Sequence, residues 1–183
     1  MIFQKKKLKA VKGILTFLFI NIKNYVGLAE RVTPEQLIGF IKNYINKCDI
    51  IISKYGGQIW RIEADRILSV WPDDNAAKID ACKSCECAIE LVETIPFSNL
   101  YESKIFRDFA VLISISRGEC IYVKKKNEII EAFGDAVIRV EKINGAEYHL
   151  ENMILVDDFL KSKCNNFKYK KVDSEDNVFF LVL

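Results

Sequence analysis

The sequence predicts an α+β fold: a ferredoxin-like βαββαβ, antiparallel-rich sheet with helices on one face. Three observations carry this. An apolar run at residues 14–22, rich in Ile, Phe and Leu and poorly alternating, reads as a central strand buried on both faces. A helical stripe follows and ends in a two-glycine hairpin at residues 56–71. A second helix, further short strands and a third helix then complete the order.

Taken in turn, residues 23–27 leave the first strand as a loop. Thr33-Pro34-Glu35-Gln36 starts a helix: Thr33 caps, Pro34 suits the first turn, and Gln36 closes a capping box. Leu37, Ile41, Tyr44, Ile45, Cys48, Ile52 and Tyr55 recur at helical spacing, a core stripe, and Gly56 supplies the C-terminal cap. The hairpin displays Asp65 at its tip. Pro72-Asp73-Asp74 opens a second helix carrying Ala76, Ile79, Ala81, Cys82, Cys85, Ala88, Ile89 and Val92, with Pro96 beyond its end. Residues 99–107 are polar and read as a loop. Residues 109–116 form a strand, Gly118 turns it, residues 119–123 return, and 124–127 turn again. Residues 128–133 are another strand, and Gly134-Asp135 starts a helix to about Tyr148. A strand at 153–156, a short helix at 157–161 and a closing hairpin at 167–172 and 178–183 finish the chain.

The chain has 183 residues, half hydrophobic and 28% charged, enough for one domain with a real core. The division expected is a basic N-terminal tail at residues 1–12 and a single domain at 13–183. A net charge of +2 gives no argument for nucleic acid or a membrane surface, and Lys5, Lys6, Lys7, Lys9 and Lys12 read as a solvated tail. The run at 14–22 is too short for a transmembrane segment and lacks a signal-peptide cleavage site, so a cytoplasmic protein is expected. Six scattered cysteines in a chain with an ample core argue against a disulfide framework. Cys82, Cys85 and Cys87 sit in a helical pattern with no fourth ligand near, which argues against zinc. His149 is the only histidine and is read as a surface or structural residue.

Three stretches together resemble the class III nucleotidyl cyclase domain: Phe19-Ile20-Asn21-Ile22 at the end of the first strand, Gly56-Gly57 through Arg61 to Ala64-Asp65, and Gly134-Asp135-Ala136-Val137-Ile138-Arg139-Val140-Glu141-Lys142-Ile143. They fall in order and at the family's intervals, over roughly residues 14–161. The resemblance implies the class III cyclase fold and conversion of ATP to cyclic AMP and pyrophosphate, in a homo- or heterodimer with a second cyclase domain. The nearest likeness is to soluble adenylyl cyclases with two domains in tandem; compare Leu68-Ser69-Val70-Trp71.

The resemblance also implies roles for single residues. Asp65 and Asn21 occupy the positions that hold Mg²⁺ or Mn²⁺, and Asn21 is an amide where the family has a carboxylate, so the site is weakened. Glu63, two residues from Asp65, is a candidate to compensate. Asn24 and Tyr25 lie in the loop expected beneath the phosphates. Arg61 and Glu131 stand at the base-reading positions, a cationic donor and a carboxylate acceptor, which suits adenine. Lys142 replaces the arginine that neutralises developing charge, and Ile138 replaces the asparagine that orients the ribose. The alternative reading is an inactive pseudo-cyclase that dimerises with and regulates an active domain, sensing nucleotide or bicarbonate, with Arg61 holding the anion.

Overall fold

The computed structural model describes residues 8–72, 80–96, 109–126, 128–145, 152–173 and 177–183. Its elements run β1 (Lys9–Ile22), α1 (Tyr25–Ala29), α2 (Pro34–Lys54), β2 (Gln58–Glu63), β3 (Arg66–Pro72), α3 (Cys82–Thr94), β4 (Val111–Lys125), β5 (Glu128–Phe133), α4 (Asp135–Gly145), β6 (Met153–Asp157), α5 (Asp158–Lys163), β7 (Lys168–Lys171) and β8 (Val178–Val182). The strands form one sheet in the order β2-β3-β1-β4-β6-β8-β7, with β5 paired to β4. The β4–β6 pair is parallel and the other described pairs are antiparallel.

The continuous apolar run of β1 is explained by burial on both faces. Leu18, Ile20 and Ile22 join a core with α2, α3 and Leu160 of α5, while Leu15 and Phe17 join a second core with α4 and β5. The expected one-sided helix layer therefore describes α2, α3 and α5; α4 lies on the opposite face. The capping box forms as the sequence predicts: Gln36 N donates to Thr33 Oγ1 at 3.4 Å, and Thr33 N donates to Gln36 Oε1 at 3.0 Å. Gly56, at φ 78, occupies the left-handed region that ends α2.

Gly118 does not turn the chain. It sits within the unbroken strand β4, where an added Cβ would lie 3.3 Å from Ala136 Cβ. The glycine serves the close approach of α4 to the sheet, which sequence alone reads as a break. Residues 25–27, expected as the end of a loop, lie in the single turn of α1. β1 begins at Lys9, inside the segment read as a tail. Lys9 pairs with Lys124 in the ladder, and Lys12 Nζ lies 2.8 Å from Glu119.

The cysteines give a further correction. Cys82 and Cys164 form a disulfide with a Cα–Cα distance of 5.4 Å. Cys82 opens α3 and Cys164 caps α5, and both helices pack on one face. A sequence separation of 82 residues hid that proximity. The expected features at Lys5–Lys7, Asp73–Ile79, residues 99–107 and His149 lie outside the described residues.

Candidate functional site

On the α4 face of the sheet, a cavity of 320 Å³ opens between β1, β2, β3 and the end of α4. Its polar lining is Asn21, Arg61, Glu63, Arg66, Glu141 and Asn144. Alternation places these residues. Asn21 follows Phe17 and Phe19 on the α4 side of β1, and Arg66 precedes Leu68 and Val70 on the same side of β3. Glu141 and Asn144 stand three apart on α4. Asn144 is 4% exposed, and its Nδ2 donates to Phe19 O at 3.2 Å and Leu112 O at 3.3 Å, pinning the end of α4 to the sheet.

Two β-bulges bring the predicted base readers together. Ladder register slips at Ile59/Arg61 in β2 and opposite Val123/Lys124 in β5, leaving Trp60 and Ile130 as the extra residues. These two meet: Trp60 Nε1 donates to Ile130 O at 3.2 Å. The next residue on each strand is then aimed at its counterpart, and Arg61 Nη2 pairs with Glu131 Oε1 at 2.5 Å. The guanidinium also lies 4.0 Å over the Trp60 ring. Arg61 is therefore held on two sides before any ligand arrives.

Asp65 lies elsewhere. It is 6% exposed, does not line the cavity, and its Oδ2 accepts the Ile22 N–H at 3.3 Å, tying the hairpin tip to the end of β1. Burial raises its carboxyl above the ordinary value, against the lowering effect of its hydrogen bonds and of Arg66. Tyr25 and Tyr44 are its neighbours; burial chiefly raises both phenols, followed by the Asp65 charge at Tyr25 and by Cys48 and then Asp65 at Tyr44. Asn24 adopts φ 57 at the N-cap position of α1, without a side-chain capping hydrogen bond, and its amide packs against Gly27. Neither Asn24 nor Tyr25 lines the cavity. Lys142 is exposed on α4 beyond the cavity lining, and Ile138 is 67% exposed.

Asn21 and Asp65, the two residues expected to hold the cations, stand in different surroundings. One is neutral and lines the cavity; the other is buried outside it and engaged by a backbone N–H. Among the described residues, no group of three or more His, Cys, Asp and Glu side chains gathers in a metal-holding arrangement. The structure thus unites Asn21, Arg61 and Glu63 at the cavity, links Glu131 to it through Arg61, and leaves Asp65, Asn24, Tyr25 and Lys142 apart. Arg66, Glu141 and Asn144 were missed. Their signals were the two-residue step from Leu68 to Arg66 and the three-residue step between Glu141 and Asn144.

A family model described as the adenylate and guanylate cyclase catalytic domain matches residues 9–147. Adenylate cyclase 1 of Rhizobium meliloti is 19% identical over 156 residues, 83% of this chain but only 24% of that protein's length. Among solved structures, a double mutant of the guanylyl cyclase domain of the RhoGC fusion protein from the aquatic fungus Blastocladiella emersonii, in monomeric form, superposes with a TM-score of 0.80 at 16% identity, covering 97% of each chain. The adenylyl cyclase CyaB from P. aeruginosa gives 0.76 at 19% identity, covering 96% of each.

Proposed function

This chain belongs to the class III adenylate and guanylate cyclase catalytic domain family, and we propose from that premise that it is one half of a nucleotide-cyclising pair, with ATP as its nucleotide. A second cyclase domain would complete the site. The observation that carries the reading is the Arg61–Glu131 pair at the cavity edge. Adenine presents an acceptor at N1 and a donor at N6. A guanidinium and a carboxylate held side by side answer that pattern, and guanine presents the reverse. Cyclases of this class use divalent cations, which would polarise the ribose hydroxyl and the triphosphate when bound. This chain's own part is to orient the base and to present Lys142 from an exposed face of α4, where a partner's substrate could meet it.

The test is competitive binding of ATP and GTP to the isolated chain, with Arg61→Ala and Glu131→Gln beside it. ATP preference that collapses in both variants is expected. A GTP preference, or indifference to both substitutions, overturns the assignment.

A second reading is a pseudo-cyclase that regulates an active partner domain. It is favoured by the neutral Asn21, the internalised Asp65 and the exposed Ile138 at the position expected to orient ribose. Cyclic AMP made from Mn²⁺-ATP by this chain alone, above an Asp65→Ala background, rules it out. Silence alone, together with a change in the turnover of an intact cyclase domain mixed with it that Asp65→Ala leaves unaltered, supports it. A sensed anion such as bicarbonate at Arg61 belongs to this reading, and it would have to displace Glu131.

A further inference from the structure

We propose that Trp60 is a positioning residue for base recognition: it acts through Arg61, holding the guanidinium at the cavity edge and fixing the span between β2 and β5 across which Arg61 meets Glu131. This deepens the adenine reading and rests on it.

Strand alternation would send residues 60 and 61 to opposite faces of β2. The bulge at Ile59/Arg61 cancels that step. Trp60 packs against the core beneath α4, its ring centroid 5.5 Å from that of Phe17 at a tilt of 47°. Arg61 lines the cavity on the same side of the sheet. The ring and the guanidinium can then face each other, 4.0 Å apart. Trp60 itself does not line the cavity, so a nucleotide there meets Arg61 and not the indole. The side chains of Arg61 and Glu131 are 42% and 39% exposed. An ion pair that open to solvent holds a long side chain loosely. The indole face restricts the guanidinium in advance, which lowers the cost of ordering it on a base.

The polar end of the indole reaches across to β5. In the described sheet β2 pairs with β3 and β5 with β4, so no ladder joins β2 to β5 and none sets the distance between Arg61 and Glu131. Side chains bridge that gap instead. Trp60 Nε1 donates to Ile130 O at 3.2 Å, and Gln58 Nε2 donates to Ile129 O at 3.5 Å. The Trp60 bond is the shorter, and it joins the immediate neighbours of Arg61 and Glu131. One strut therefore governs where the carboxylate stands and where the guanidinium points. Glu131 Oε1 is taken twice, by Arg61 Nη2 and by the Ala132 N–H at 3.1 Å. Its Oε2 accepts no bond from a described residue and is the oxygen left for the exocyclic amine of adenine.

The test is competitive binding of ATP and GTP to this chain and to two variants. Trp60→Phe keeps an aromatic face and removes the N–H; Trp60→Leu removes both. Each is made again together with Arg61→Ala, and melting curves check folding. Ring-current displacement of the Arg61 side-chain protons in NMR reports the contact without nucleotide. That displacement should be lost in Trp60→Leu and partly kept in Trp60→Phe. The ATP-over-GTP affinity ratio should fall about two- to fivefold in Trp60→Leu, by less in Trp60→Phe, and no further in either once Arg61 is replaced. A ratio unchanged in Trp60→Leu, with only the melting temperature lowered, overturns the proposal and leaves the indole as core filling. A fall of equal size in the Arg61→Ala background also overturns it, since the effect would not run through Arg61. Should Trp60→Leu fail to fold, Trp60→Phe decides alone, and an unchanged ratio there overturns the proposal. A wild type without ATP preference, or with one that Arg61→Ala leaves intact, overturns the base reading and this proposal with it. An ATP preference lost in Arg61→Ala but kept in folded Trp60→Leu overturns this proposal alone.

Discussion

At Asp65 the energetic consequence of burial can be measured. Its folded-state pKa is raised, so the folded chain holds this proton more tightly than the unfolded chain does. That contribution to stability is complete below the unfolded value of about 3.9 and is lost as pH rises through the higher folded value. Asp157, also raised by burial, acts with the same sign. Asp65→Asn keeps an acceptor for the Ile22 N–H and removes the ionisation cost. Its melting temperature should exceed that of the wild type at pH 8, and the gap should close near pH ~3.5. Melting curves across that range check this; a variant less stable at pH 8 would show that the charged form is the one the fold favours. Next to it, Ala64 adopts φ 55, in the left-handed region. Ala64→Gly relieves about 1 kcal/mol of strain and returns part of it as chain entropy, so a net gain of about 0.5 kcal/mol is expected in denaturant titration. Arg61 and Glu131 are both partly exposed. Glu131→Gln should therefore cost no more than about 1 kcal/mol of stability while shifting nucleotide preference, which separates a recognition role from a structural one.

The elements were legible where periodicity and caps speak locally. The α2 capping box, the β2–β3 hairpin and the closing β7–β8 hairpin follow from neighbouring residues. Features that depend on distant partners were not. Gly118 has the local signature of a turn, and only the packing of α4 across β4 shows why a side chain is excluded there. Gly118→Leu should force α4 outward and cost about 1–3 kcal/mol, measured by denaturant unfolding; an unchanged midpoint would mean that α4 rests loosely. The two bulges were equally hidden. Each is a one-residue slip whose purpose appears only when Trp60 and Ile130 meet across β2 and β5. The site residues read from the resemblance fall accordingly: the strand-borne Asn21, Arg61 and Glu131 are gathered at the cavity, whereas Asp65 is drawn inward by a backbone donor that no motif spacing reveals.

At the scale of the molecule, among the described residues no helix is long and apolar enough to cross a membrane, and the chain spans about a quarter of the curated relative described above. Its mixed sheet carries cores on both faces, and the Cys82–Cys164 bond ties α3 to α5 on one of them. Closing a loop of this length removes unfolded-state entropy equivalent to about 4.5 kcal/mol. Reduction, or Cys164→Ser, should lower unfolding free energy by up to that amount. Alkylation of all six cysteines in denatured, unreduced protein would show the bond to be absent. The same bond makes a covalent ring of everything from α3 to α5. β4, β5, α4 and β6 lie on that ring, so Glu131 and Glu141 are borne by it, while Asn21, Arg61 and Glu63 hang on the open N-terminal arm. A protease nick inside the ring would leave both fragments tethered and migrating as one species until reduced. A nick in the arm would free a piece carrying half of the candidate site. The two halves of the cavity thus differ in how they survive a cut backbone, although they share one sheet.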